Sequence, residues 1–123
     1  MLSTTQTEQW QRDGYVVLPG FKTPAETAEA VARARAIVEA FEPGAQTSRF
    51  STKDRSLVAD AALLASAEEV HCFFEEEALD EQGRLRVPKA QSINKVGHAL
   101  HDRDEVFMRY SHGPALAALG RAL

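Results

Sequence analysis

A chain of 123 residues holds one domain and leaves no room for a second independent core. Hydrophobic residues make up 44% and charged residues 26%, mean hydropathy is -0.31, and no apolar run reaches membrane length, so composition describes a globular chain and argues against a bilayer span. Net charge is -4 and the basic residues are scattered rather than gathered in a stripe, which argues against a nucleic-acid partner. Residues 1–6 carry neither a basic nor an apolar leader segment, and the single Cys72 suits a reducing compartment, so a cytoplasmic location is the default expectation.

Thr5-Gln6-Thr7-Glu8 has capping-box spacing and predicts a short helix as far as Asp13, anchored by Trp10 and left through Gly14. Tyr15-Val16-Val17-Leu18 reads as a short strand closed by a Pro19-Gly20 turn. The clearest helix follows: Thr23 is its N-cap, Pro24 its first residue and Glu26 its third, with Ala28, Val31, Ala32, Val38 and Phe41 as the apolar stripe and Pro43-Gly44 as the stop. Residues 45–53 are polar and aperiodic and read as a loop, whereas propensity favours helix over 54–70 because Leu57, Ala61, Leu64 and Ala65 share a face.

Residues 70–75 predict a strand, and Asp80-Glu81-Gln82-Gly83 followed by Leu85-Arg86-Val87 predicts a turn and a return strand, so the expected unit is a β-hairpin. Residues 96–102 read as one or two helical turns. Asp104 then caps a helix carrying Val106, Phe107 and Tyr110, and Pro114 begins a last helix whose Leu116, Leu119 and Leu123 lie on one side and lack an evident partner.

Few side chains stand out for chemistry. Cys72 has no second cysteine or basic neighbour to activate it and reads as a buried strand residue. His98 and His101, three apart and near Asp102 and Asp104, raise the idea of a zinc site, but no third ligand stands at a recognised spacing, and packing or helix capping is the simpler role. Glu75-Glu76-Glu77 with Asp80 and Glu81 lacks calcium-loop spacing and reads as a solvated hairpin face. From spacing alone Lys95 is an ordinary exposed lysine.

One resemblance changes the weight given to Lys95. Phe73-Phe74-Glu75, Asp80-Glu81-Gln82-Gly83, Val87-Pro88 and Ser92-Ile93-Asn94-Lys95-Val96-Gly97-His98-Ala99-Leu100-His101 resemble the phytanoyl-CoA dioxygenase family of iron(II)- and 2-oxoglutarate-dependent oxygenases. Similarity is strongest over 73–107, weaker over 9–41 and poor over 44–59, and Asp13-Gly14-Tyr15-Val16-Val17-Leu18-Pro19-Gly20-Phe21 resembles the family's opening strand. The resemblance implies an α+β fold: N-terminal helices and a β-hairpin on one side of a double-stranded β-helix, or jelly roll, with most barrel strands absent from residues 1–123, which form a single N-terminal portion. It also implies a shorter helix or irregular run before the strand at Val70 than propensity alone suggests. Lys95 matches the family lysine that contacts a carboxylate of 2-oxoglutarate.

The implied reaction is hydroxylation of a small-molecule substrate coupled to decarboxylation of 2-oxoglutarate to succinate. The family holds iron with a His-x-Asp pair and a later His, yet here His71 precedes Cys72-Phe73, His98 precedes Ala99-Leu100, His101 precedes Asp102-Arg103 and His112 precedes Gly113-Pro114. No iron ligand is therefore assigned, and the chain by itself is expected to be inactive. A different reading is a non-catalytic module of this family that binds a partner, or a second copy of itself, through the apolar faces around Val106, Phe107, Leu116 and Leu119.

Overall fold

Two N-capped helices open the chain in the computed structural model, which describes residues 2–43 and 64–123. Helix α1, Thr4–Asp13, begins earlier than predicted: the Ser3 hydroxyl accepts from the Gln6 amide at 3.2 Å while Gln6 Oε1 accepts from the Ser3 amide at 2.8 Å. Ser3 and Gln6 satisfy the same capping pattern as Thr5 and Glu8, and the earlier start adds backbone bonds such as Thr7 N–H to Ser3 O. Gly14 supplies the left-handed exit at φ 75°, as expected.

The strand predicted at residues 15–18 does not form. β-branched and aromatic residues favour strands by fitting a half-buried pleated surface, and no ladder is offered to this segment among the described residues, leaving Tyr15 and Val17 exposed. The following turn does form, with Phe21 N–H bonded to Leu18 O and Gly20 at φ 73°, the arrangement a Pro-Gly pair favours.

Helix α2, Pro24–Ala40, has the predicted reciprocal cap between Thr23 and Glu26. Its rotation differs from the prediction. Val38 and Phe41 of the predicted stripe are half-buried, together with Ala30, Ala34 and Ile37, whereas Ala28, Val31 and Ala32 face solvent; Glu29 and Arg33 reach Arg109 and Asp104 beside the buried side. Phe41 is its extended C-cap, and Lys89 Nζ donates to the carbonyls of Glu39 and Phe41 at 2.5 and 3.0 Å, placing a cation at the negative end of the helix. The predicted loop at 45–53 and most of the predicted helix at 54–70 lie outside the described residues. At its described end Leu64 and Ala65 are helical and turns lead directly into a strand.

Strand β1, Val70–Phe74, stands where expected, but its partner does not. It pairs antiparallel with β2, Ile93–His98, in the register Val70 with His98, Cys72 with Val96 and Phe73 with Lys95, with an irregularity between Phe73 and Phe74. The predicted return strand at 85–87 contributes only an isolated bridge between Leu79 and Leu85. Around it Arg86 N–H donates to Ala78 O and Asp80 N–H to Arg84 O, both at 2.9 Å, while Leu85 and Val87 are exposed. The Asp80–Gly83 turn is present: the Asp80 carboxylate accepts from the Gln82 and Arg84 amides, and Gly83 adopts φ 76°. Residues 96–98 accordingly belong to a strand rather than the predicted helical turns, consistent with β-branched Ile93 and Val96 and with Gly97.

Short helices complete the path: α3, Lys89–Ser92; α4, Leu100–Arg103; α5, Glu105–Ser111; and α6, Pro114–Ala122. The described residues form an α+β arrangement with one two-stranded antiparallel sheet. Phe74, Ala78 and Leu79 are buried together against Phe41 and Ile93, and the Phe41 and Phe74 rings lie 5.7 Å apart. Phe73 and Phe74 are at most 1% exposed, so residues on both faces of β1 are covered, and each side chain contributes roughly 1.5–3 kcal/mol by burial. Cys72 is buried as expected, and burial pushes its thiol pKa up. No helix among the described residues is long and apolar enough to cross a membrane.

Candidate functional site

The fold seats Lys95 in the middle of β2, directly opposite Phe73. Residues paired across a ladder share a sheet face, so Lys95 stands beside the Gly97 and His71 pair on the Phe73 side. Gly97 makes room for its stem: a Cβ there would lie 3.3 Å from Lys95 Cε. Lys95 is half-buried on a strand rather than the ordinary exposed lysine that spacing alone suggests.

Its ammonium donates to His98 Nε2 at 2.8 Å, while His98 Nδ1 lies 2.6 Å from the Ser66 hydroxyl. A ring nitrogen that accepts from an ammonium is unprotonated, so the proton of this neutral imidazole sits on Nδ1 and is donated to Ser66 Oγ. The His98 amide also donates to Ser66 O at 3.0 Å, and the ring lies 5.9 Å from the Phe73 ring. Loss of water around the ring, the Lys95 charge and His71 hold the His98 pKa below its ordinary value, which keeps the accepting form populated at neutral pH. Hydrogen bonds thus link the fully buried Ser66 through His98 to the Lys95 ammonium on β2.

The remaining candidates separate. His98 ends β2 while His101 lies in α4, so the two do not share a helix face. His101 instead stacks on His112 at 6.1 Å and lies 3.3 Å from Asp102, and His112 Nε2 donates to His101 O. Glu75, Glu77 and Glu81 are exposed, and Asp80 is engaged by its own turn. Among the described residues no three His, Cys, Asp or Glu side chains are grouped to hold a metal ion. Sequence reasoning missed Ser66 and the partnership of His98 with Lys95. A contact between residues 32 apart leaves no local pattern to read.

Comparison with known proteins gives a match over residues 10–122 to the family model described as phytanoyl-CoA dioxygenase (PhyH). The chain is 38% identical over 127 residues to phytanoyl-CoA dioxygenase domain-containing protein 1 of Mus musculus, covering 99% of this chain and 44% of that protein. It is 37% identical to phytanoyl-CoA dioxygenase 1 of Oryza sativa subsp. japonica and 33% identical to phytanoyl-CoA dioxygenase of Arabidopsis thaliana, covering 99% of this chain and 43% of each relative. The chain spans less than half the length of these relatives.

Proposed function

Because the chain belongs to the phytanoyl-CoA dioxygenase family, we propose that it is the N-terminal part of an iron(II)- and 2-oxoglutarate-dependent dioxygenase that hydroxylates a small molecule, with Lys95 binding a carboxylate of 2-oxoglutarate. The observation that carries this reading is the placement of the Ser92-Ile93-Asn94-Lys95 segment. Ser92 is buried with its carbonyl accepting from the Glu75 amide, so β2 begins from a fixed point and delivers the Lys95 stem from a paired strand. A compact ammonium on such a stem suits one end of a dianion, and a charge-assisted bond contributes ~1.5–3 kcal/mol.

In this reading the iron ligands and the jelly-roll barrel belong to a part of the protein outside these 123 residues. What this chain supplies is the cosubstrate grip. The test is Lys95→Met in a full-length protein that carries this chain, which keeps the stem and removes the charge. The 2-oxoglutarate dissociation constant should rise roughly ten- to hundredfold with iron(II) affinity little changed, and an unaltered constant in the folded, iron-loaded variant sinks the reading.

A further inference from the structure

We propose that the cleft between α2 and β1 binds a small carboxylic acid monoanion with an apolar body, its carboxylate held by Arg33 and Arg103. The cleft has a volume of about 400 Å³, within the ~300–1,000 Å³ span of small-molecule sites. It lies across the sheet from Lys95: Val70 and Cys72, which line it, alternate along β1 with Phe73, the residue paired with Lys95. Ile37 and Phe41 of α2 stand beside them, and the Phe41 ring is packed 5.7 Å from the Phe74 ring. Cys72 is buried and loss of water pushes its thiol pKa up, so the inner end of the cleft is apolar and neutral.

The charged groups gather at the other end, where Arg33 bonds to Asp104 and Arg103 precedes Asp104 in the chain. Both Asp104 oxygens are engaged, one by Arg33 and one by the amides of Val106 and Phe107. Among the described residues each guanidinium bonds through Nε alone, Arg33 to Asp104 at 2.6 Å and Arg103 to the Glu68 carbonyl at 3.0 Å. Those bonds orient two planar forks and leave their terminal N–H groups for a planar acceptor. Arg33 and Asp104 cancel in charge, and no carboxylate among the described residues pairs with Arg103, so this end carries one net positive charge. A monoanion matches it, and a carboxylate fits the fork geometry with two parallel bonds.

The experiment uses full-length protein carrying this chain and phenylacetate as the probe, with dissociation constants read by ligand-observed NMR. Phenylacetate should bind saturably. Phenylacetamide, which keeps the shape without the charge, and acetate, which lacks the apolar body, should each bind at least about tenfold more weakly. Arg103 is exposed, so its replacement opens no core. Arg103→Gln should weaken phenylacetate roughly tenfold, and Arg103→Lys, which keeps the charge without the fork, should recover only part of the loss. Lys95→Met should leave the constant unchanged, because Lys95 lies on the other face of the sheet. Equal affinity for phenylacetate and phenylacetamide, or an unchanged constant in Arg103→Gln, overturns the proposal. Binding lost in Lys95→Met places the probe at that lysine instead and overturns it too, as does the absence of saturable binding to the folded protein.

Discussion

The Arg33 guanidinium donates to Asp104 Oδ2 at 2.6 Å, tying α2 to the helix that leads away from the sheet. The other Asp104 oxygen accepts from the amides of Val106 and Phe107, so one carboxylate both caps α5 and anchors α2. Asp104→Ala should therefore cost ~1–3 kcal/mol, combining a lost cap with a lost tertiary bond. Asp104→Asn, which keeps an acceptor for the cap, should cost less. Urea denaturation of the three proteins checks the order, and equal stability of Asp104→Ala and the parent would remove this residue from the framework.

The same residue sets an acid limit. Burial alone would raise the Asp104 pKa, but the Arg33 bond, the Phe107 amide, the Arg33 charge and the Val106 amide outweigh it and hold the folded value below the ordinary 3.8. A carboxyl depressed on folding adds stability that is complete above its unfolded pKa and is lost as pH falls through the folded value. Stability should decline below about pH 4, and this part of the decline should be absent in Asp104→Asn. A parallel pH dependence in both proteins would show that other carboxylates govern it.

Gly97→Ala should act on the site more than on the fold. Gly97 does not adopt positive φ, so alanine is not excluded by a left-handed backbone, and its Cβ would meet Lys95 Cε at 3.3 Å. The neighbour is part of a flexible stem and gives way by a few tenths of an ångström. Stability should change by about 1 kcal/mol or less, while 2-oxoglutarate affinity in the full-length protein falls roughly two- to fivefold. Affinity retained at the parent level would mean that the stem has slack.

Local chemistry was legible in the sequence; pairing partners were not. Thr23, Pro24 and Glu26 announce α2 because capping is decided within four residues, and Gly14, Gly20 and Gly83 mark their turns because positive φ is a property of one residue. The partner of β1 was misassigned because Leu85-Arg86-Val87 and Ile93-Asn94-Lys95-Val96 both alternate acceptably. In the fold β1 pairs with the second of them, and its Phe73 and Phe74 are buried, which no local pattern announces. The rotation of α2 was misread for a similar reason: Ala28, Val31 and Ala32 form as good a stripe as Ala30, Ala34 and Ile37 until Arg33 finds Asp104, 71 residues away. Lys95 stands out through a family segment, whereas the contacts of His98 with Ser66 and Lys95 require the tertiary fold.

The Lys95 and His98 pair makes a spectroscopic prediction that needs no activity. Lys95 lowers the His98 pKa, yet the largest cause is loss of water around the ring. Lys95→Met should accordingly move the His98 pKa up without restoring it fully to 6.5, as read from imidazole NMR shifts across pH. Because the folded value is depressed, protonation favours the unfolded chain, and stability should fall as pH drops below 6.5 by less in Lys95→Met than in the parent. An unmoved titration would show that the two groups do not interact in solution.

The C-terminal helices lead to the last expectation. Met108, Leu116 and Leu123 are 42%, 36% and 46% exposed, while Leu119 is partly covered where a cleft lined by Leu18, Phe21 and Ala115 separates α6 from the N-terminal turn. Leu116 and Leu123 are seven residues apart on or beside α6 and share its outer side, whereas Leu119 of the expected stripe is turned towards the cleft. We propose that the 123-residue chain self-associates through this side, since exposed apolar side chains gain by burial against a second copy. Sedimentation velocity should show a mass that grows with concentration, and Leu116→Glu should shift the distribution towards monomer, because a carboxylate resists desolvation in an apolar contact. Monomeric behaviour at high concentration, with sharp and dispersed amide NMR signals, would show that this side is stable in water as it stands.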